Sequence, residues 1–264
     1  MNRVAPPEGV IYQADVVGGV SGWWCRPAGA LPGLAILHLH GGWFNWGSAH
    51  AYRHLVGHLA LRAGACAFIA DYRLAPEHPF PAALEDAHSC YEGLLGLTDK
   101  VAVTGDSAGG GLALGLLSLV VTRGELALPV AAAVLSPVTD LSLAGASWKT
   151  RSERDPYFTL AQVQALASAY LGEADPDNPI VSALHGNVAG LPPVSVHVGD
   201  DEVLLDDARR YAERAFSAGC DATLDIWKGM PHGFASHVGK LDAANRALDM
   251  IGAFLKSHLG NAPV

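Results

Sequence analysis

The run Gly105-Asp106-Ser107-Ala108-Gly109 constrains this chain more than any other, because of what flanks it. Before it stands an apolar, strand-like stretch, Val101-Ala102-Val103-Thr104, and after it a small-residue helix opening on Gly110-Gly111-Leu112-Ala113-Leu114. A strand that turns at once into a helix needs glycine at both flanks, where the backbone must fold back tightly. The serine at the apex then projects its hydroxyl from the top of a sheet. The helix N-terminus beside it supplies backbone N–H groups and a partial positive charge. A Gly-x-Ser-x-Gly pattern arises often by chance; its place between strand and helix gives it weight.

The chain has 264 residues, half of them hydrophobic and 16% charged, which suits one large α/β domain over residues 1–264 with a sizeable core. Seventeen basic against twenty-six acidic residues give a net charge of −9, and no lysine or arginine cluster stands out, so no nucleic-acid partner is expected. Cys25, Cys66, Cys90 and Cys220 are scattered, with no Cys-x-x-Cys pair. That argues against a zinc site and gives no disulfide framework, leaving a single bridge open. The start, residues 1–9, has no apolar core of signal-peptide type. Ser107 to Thr122 is uncharged but too short and glycine-rich to span a bilayer, and reads as a buried helix behind the serine. A soluble cytoplasmic protein with no membrane association is the expectation.

Short apolar strands alternate with helical segments, the pattern of a mostly parallel central sheet with helices on both faces. Strands are expected at Val10–Val17, Trp23–Arg26, Leu34–Leu39 and Ala65–Ala70, then near 101–104, 130–135, 194–198 and 222–227. Pro81 opens a helix through about Leu95, Asp206 begins an amphipathic one, and a last helix runs from about Leu241 to Leu255. One interval breaks the alternation: nearly sixty residues separate Leu135 from Val194, rich in Ser, Asp, Pro and aromatics. A connection that long inside a compact domain is usually functional. It reads as a small helical cap over residues 138–190, with a helix from Phe158 to about Gly172.

A serine hydroxyl is a weak nucleophile until a base takes its proton, and the base must be held by an acid. Of twelve histidines, His232 lies in the turn-rich Gly229-Met230-Pro231-His232-Gly233-Phe234, just after the strand ending at Trp227. A loop at a strand's C-terminal end is where a base can reach the serine. His237 is the nearest rival and lacks such a turn. The acid is expected after Val194–Val198, where Asp200, Asp201, Glu202, Asp206 and Asp207 compete. Asp206 and Asp207 suit helix capping; geometry alone does not choose among the first three. An oxyanion also needs backbone N–H donors. Ala108 supplies one, and His40-Gly41-Gly42-Trp43, following the strand at 34–39, is placed to supply others.

Together these segments resemble the bacterial hormone-sensitive lipase-like family of α/β-hydrolases, from about Leu34 to Leu259. The resemblance rests on His40-Gly41-Gly42, the run Asp71-Tyr72-Arg73-Leu74-Ala75-Pro76-Glu77, Gly105 to Gly110, Ser136-Pro137 and Met230-Pro231-His232. It implies the α/β-hydrolase fold and a serine carboxylesterase needing no metal or organic cofactor. The family pattern of acid, any residue, leucine, any residue, aspartate matches Glu202-Val203-Leu204-Leu205-Asp206, which implies the triad Ser107, His232 and Glu202, with Asp201 second to Glu202. Gly41, Gly42, Trp43 and Ala108 are implied as the oxyanion hole, Gly41 shaping the turn. Two departures stand out. Trp43 occupies the place of the family's usual third glycine, so its indole crowds the pocket. Only 39 residues precede His40, which implies a smaller cap. The run from Asp71 to Pro81 reads as structural.

The expected ligand is a small, uncharged ester with a short acyl group. Trp43, Phe44, Trp46, Tyr157 and Phe158 are the expected pocket walls, with Asp106 beside the nucleophile. The same machinery serves kynurenine formamidases, which show a similar His-Gly-Gly with aromatics, and lactone hydrolases. Gibberellin receptors resemble these esterases but lack the catalytic histidine, which here is present. The resemblance also implies a homodimer through the last strand and helix.

Overall fold

The computed structural model describes residues 4–260. Residues 1–3, part of the start read above for a leader, and 261–264 lie outside the described residues. Eight strands form one sheet: β1 (Val10–Val17), β2 (Val20–Pro27), β3 (Leu34–Leu39), β4 (Cys66–Ala70), β5 (Lys100–Asp106), β6 (Ala132–Leu135), β7 (Val194–Gly199) and β8 (Ala222–Trp227). Their order is β1-β2-β4-β3-β5-β6-β7-β8, with β1 and β2 antiparallel to their neighbours and the rest parallel. This is the expected α/β-hydrolase sheet. The longer run of β2 is the main difference from the strands read in the sequence.

Side-chain alternation along each central strand sorts two cores. Ala35, Leu37 and Leu39 of β3, Val101 and Val103 of β5, and Ala132 and Val134 of β6 join one apolar cluster. Their alternates Ile36, Ala102, Ala133 and Leu135 join the other. Helices α2 (Ala82–Leu95), α3 (Ala108–Arg123) and α6 (Leu205–Ser217) cover the first face. Helices α1 (Ala49–Ala63) and α7 (Asp242–Gly260) cover the second. Helix α1 is the longest element for which the sequence raised no expectation. Its N-terminus is capped twice: the N–H of Ala51 donates to Ser48 Oγ (3.1 Å) and that of Ala49 to Asp71 Oδ1 (2.5 Å). Such caps are worth about 1 kcal/mol each.

Between β6 and β7 lie α4 (Ser147–Thr150), α5 (Leu160–Leu171) and a short 3-10 turn. A capping box at Thr159 and Gln162 fixes the start of α5. No described helix is long and apolar enough to cross a membrane. All four cysteines are free thiols.

Candidate active site

The elbow forms where β5 meets α3. Ser107 sits at φ 57°, ψ −122°, a conformation costing on the order of 1–3 kcal/mol for a residue with a Cβ. The glycines around it are required by packing. A Cβ at Gly105 would lie 2.1 Å from the carbonyl oxygen of Gly109, and one at Gly109 2.0 Å from that of Leu39. Helix α3 can therefore lie against β3 and β5 only where side chains are missing. The turn is held by hydrogen bonds from the N–H of Ser107 to Leu135 O (2.8 Å) and from the N–H of Val138 to Ser107 O (3.1 Å).

The loop after β3 turns through three consecutive residues of positive φ: Gly42 (131°), Trp43 (51°) and Phe44 (61°). Successive N–H groups in such a turn converge on one point, as in an anion-binding nest. Among the described residues nothing accepts from the backbone N–H of Gly42, Trp43 or Ala108. Close approach explains the glycines: a Cβ on Gly41 would stand 2.7 Å from both Asp106 Oδ2 and the Tyr52 hydroxyl, and one on Gly42 2.0 Å from Trp46 O. Two aromatic residues at positive φ are strained, and packing holds them there. Phe44 stacks on Tyr170 of α5 at 3.8 Å, and Trp43 meets Phe158 edge-on at 5.5 Å and Trp148 at 6.2 Å. The run beginning at Asp71 braces the loop from behind. The hydroxyl of Tyr72 donates to His40 O (2.6 Å), its ring stacks on the His40 imidazole, and the N–H of Ala75 donates to Phe44 O.

The loop expected to carry the acid follows β7. Glu202 is fully buried, and each of its oxygens has a donor. Oε1 accepts from the N–H of Gly199 (2.6 Å) and the hydroxyl of Ser136 (2.7 Å), while Oε2 accepts from Nδ1–H of His232 (2.8 Å). The rival Asp201 turns outward and pairs with Arg154 at 3.3 Å. Asp206 and Asp207 lie in the first turn of α6 but do not cap it, a correction to the expected capping role: their carboxylates reach out to accept from the backbone N–H groups of Ser147 and of Thr139 and Asp140. The loop after β8 is stitched to the loop after β7 through N–H bonds from Asp200 to Trp227 O and from Asp201 to Met230 O. The structure thus brings His232, read from the sequence as the base, onto Glu202, 30 residues away in the chain. His237 is exposed at the cavity mouth.

Burial disfavours the His232 imidazolium, but the hydrogen bond and charge of Glu202, with the charges of Asp106 and Asp155, outweigh it and raise its pKa. Asp106, buried beside Ser107, has its pKa raised by burial foremost, against the opposing charge of His232 and a 2.8 Å hydrogen bond from the Tyr52 hydroxyl.

These groups face one cavity of about 790 Å³, lined among others by Gly41, Gly42, Trp43, Trp46, Tyr52, Asp106, Ser107, Tyr157, Phe158 and His232. One expected wall is corrected. Phe44 does not line this cavity, because its ring is turned away onto Tyr170. Three contributors carried no role in the sequence reading. Ser136 bonds Glu202, Tyr52 bonds Asp106, and Asp155 joins the loop after β7. Only Ser136 left a trace, in the Ser136-Pro137 pair at the end of β6. Among the described residues no group of three His, Cys, Asp or Glu could hold a metal ion.

A family profile described as alpha/beta hydrolase fold matches residues 36–236. The chain is 39% identical over 262 residues to an acetyl-hydrolase of Streptomyces hygroscopicus, covering 98% of this chain and 86% of that protein. An ethyl acetate hydrolase of Pseudomonas putida is 33% identical, over 87% and 75% of the two chains. Among solved structures, an esterase from the bacterial hormone-sensitive lipase family superposes with a TM-score of 0.93 at 39% identity, covering 97% of this chain and 87% of that one. Profile, relatives and superposition agree with the geometry in one conclusion: the chain belongs to the α/β-hydrolase fold family, among the carboxylesterase-like enzymes of its bacterial hormone-sensitive lipase branch.

Proposed function

We propose that the protein is a serine carboxylesterase hydrolysing small, short-acyl esters through Ser107, His232 and Glu202. The observation that carries this reading is the 2.8 Å bond from His232 Nδ1 to a buried Glu202, in a cavity that Ser107 also lines. With its Nδ1 proton committed to the carboxylate, the imidazole presents Nε2 as the base. Ser107 Oγ loses its proton to Nε2 and attacks the ester carbonyl. The oxyanion that forms is met by the free N–H groups of Gly42, Trp43 and Ala108, each worth several kcal/mol in such a role. His232 then protonates the departing alcohol, and water repeats the sequence on the acyl-enzyme.

The short acyl preference is supported by the walls. Trp43, Phe158 and Tyr157, with Trp46 across the mouth, narrow the space around the serine. Relatives named for acetyl and ethyl acetate hydrolysis point the same way. The interval 138–190 acts as the cap in this reading, contributing Tyr157 and Phe158 to the walls. The decisive experiment is a screen of the purified protein on short esters, lactones and formyl-anilides, with Ser107→Ala as control. Acetate to butyrate esters turning over fastest, with loss in the control, is the expected result. A preference for formyl-anilides or for dodecanoate esters would overturn the substrate assignment. A folded wild type that an organophosphonate cannot label at Ser107 would overturn the enzymatic one.

A further inference from the structure

One carboxylate ties the chain entering α5 to the acid loop. Asp155 is buried, and its Oδ1 accepts from the backbone N–H of Tyr157 (2.9 Å) and of Phe158 (3.3 Å). Its Oδ2 accepts from the N–H of Val203 (3.0 Å), the residue directly after Glu202. Neighbouring contacts reinforce the join. The hydroxyl of Ser147 donates to Val203 O (2.5 Å), its N–H to Asp206 Oδ2 (2.8 Å), and Arg151 Nε to Asp200 O (2.6 Å). Segments 147–158 and 200–206 are thereby one body.

That body touches the base at two points. Glu202 holds Nδ1 of His232, and the Phe158 ring meets the imidazole edge-on at 5.0 Å and 70°. A displacement of Asp155 would therefore move the acid and the aromatic wall together. We propose that Asp155 is a positioning residue, the strut that sets Glu202 and Phe158 against His232; the inference rests on the triad reading above. Its charge adds to the effect. The carboxylates favouring the imidazolium are Glu202, Asp106 of the elbow and Asp155, set against burial as the largest opposing influence. Of the nearby cations, Arg154 is engaged by Asp201 and Arg151 by Asp200 O, while His237 and Lys240 line the mouth of the same cavity.

Neutralising Asp155 removes one of three anions and lowers the pKa of His232. Hydrolysis needs the neutral imidazole, so the acid limb of kcat/KM moves to lower pH. A residue that merely holds the fold would lower Tm and scale the rate equally at every pH.

The test compares wild type, Asp155→Asn and Asp155→Glu on p-nitrophenyl acetate from pH 4.5 to 9, with folded sites counted by organophosphonate titration. In Asp155→Asn, kcat/KM is expected to fall about tenfold, as for loss of one charge-assisted hydrogen bond, with the acid limb displaced to lower pH. Asp155→Glu keeps the charge and hence the limb, but its longer stem cannot serve both segments, and kcat falls severalfold. An Asn variant with the wild-type limb, or a Glu variant with the wild-type rate, overturns the proposal. If the Asn variant does not fold, the Glu variant decides alone. A wild type that neither hydrolyses esters nor takes the label brings down the triad reading itself, and that control separates the two failures.

Discussion

Replacing Glu202 by glutamine tests the triad at its most constrained atoms. Oε1 receives two hydrogen bonds, one from the N–H of Gly199, which can only donate. In Glu202→Gln the amide oxygen must therefore take the Oε1 position, and the NH2 group must face Nδ1 of His232. Two donors cannot face each other at 2.8 Å, so the imidazole is driven to the tautomer with its proton on Nε2. That proton then points at the serine, and the base is lost. The equivalent amide in a serine-protease triad lowers kcat about 10⁴-fold, or about 5.5 kcal/mol of transition-state stabilisation, and a loss of that order is expected here. The pKa of His232 should also fall, since the hydrogen bond and charge that offset its burial have both gone. Steady-state kinetics on p-nitrophenyl acetate between pH 5 and 9 measure both effects, with circular dichroism to show the fold intact. Asp201→Asn is the control; its exposed pair with Arg154 is worth about 0–1 kcal/mol, and activity should stay within about twofold. A Glu202→Gln enzyme keeping more than a tenth of wild-type kcat/KM would refute the tautomer argument and move the base elsewhere.

Three further outcomes are expected. Trp43→Gly relieves a positive φ but empties a fully packed site, so Tm should drop by the equivalent of about 2–4 kcal/mol, while selectivity shifts toward longer acyl chains by up to about fourfold per methylene; an unchanged chain-length profile in folded protein would count against the pocket assignment. Ser107→Gly should abolish hydrolysis yet raise stability by about 1 kcal/mol in urea titrations, because glycine adopts φ 57° without strain; a less stable variant would mean the elbow is not strained. Burial holds His38 down at about 3 and His197 at about 4, so the unfolded chain takes up protons that the folded one refuses. The stability they contribute is whole above about pH 6.5 and is lost as pH falls from there toward 4, a decline in Tm that should be shallower in His38→Asn.

Much of this arrangement is legible in the sequence, and the reasons are steric. Gly105 and Gly109 stand where a Cβ would meet backbone at about 2 Å, so the elbow must be written in glycine and can be read as such. The central strands are readable because both their faces are buried, giving short runs dominated by apolar residues with only a few buried polar ones, such as His38, Thr104, Ser195 and His197. The proposed acid is not readable from its neighbourhood. What distinguishes Glu202 from Asp201 is a hydroxyl 66 residues away and a strand N–H, and only the family pattern pointed to it. Phe44 departs from the expected wall because consecutive positive φ values send neighbouring rings to different places. Helix α1 is hard to read because its buried stripe is built largely of small residues, with His50, His54 and His58 on the other face, and its partner α7 lies at the far end of the chain.

The stacking of Phe44 on Tyr170 carries a consequence for engineering. Two of the three proposed oxyanion donors, Gly42 and Trp43, lie in a loop whose shape is imposed from outside, by aromatic rings belonging to the segment between β6 and β7. Exchanging that segment with a relative's, to change which esters are accepted, would also remove the mould in which the loop is cast. A chimera that keeps Tyr170 and Phe158 should inherit new selectivity with its rate intact, whereas one that discards them would trade turnover for breadth.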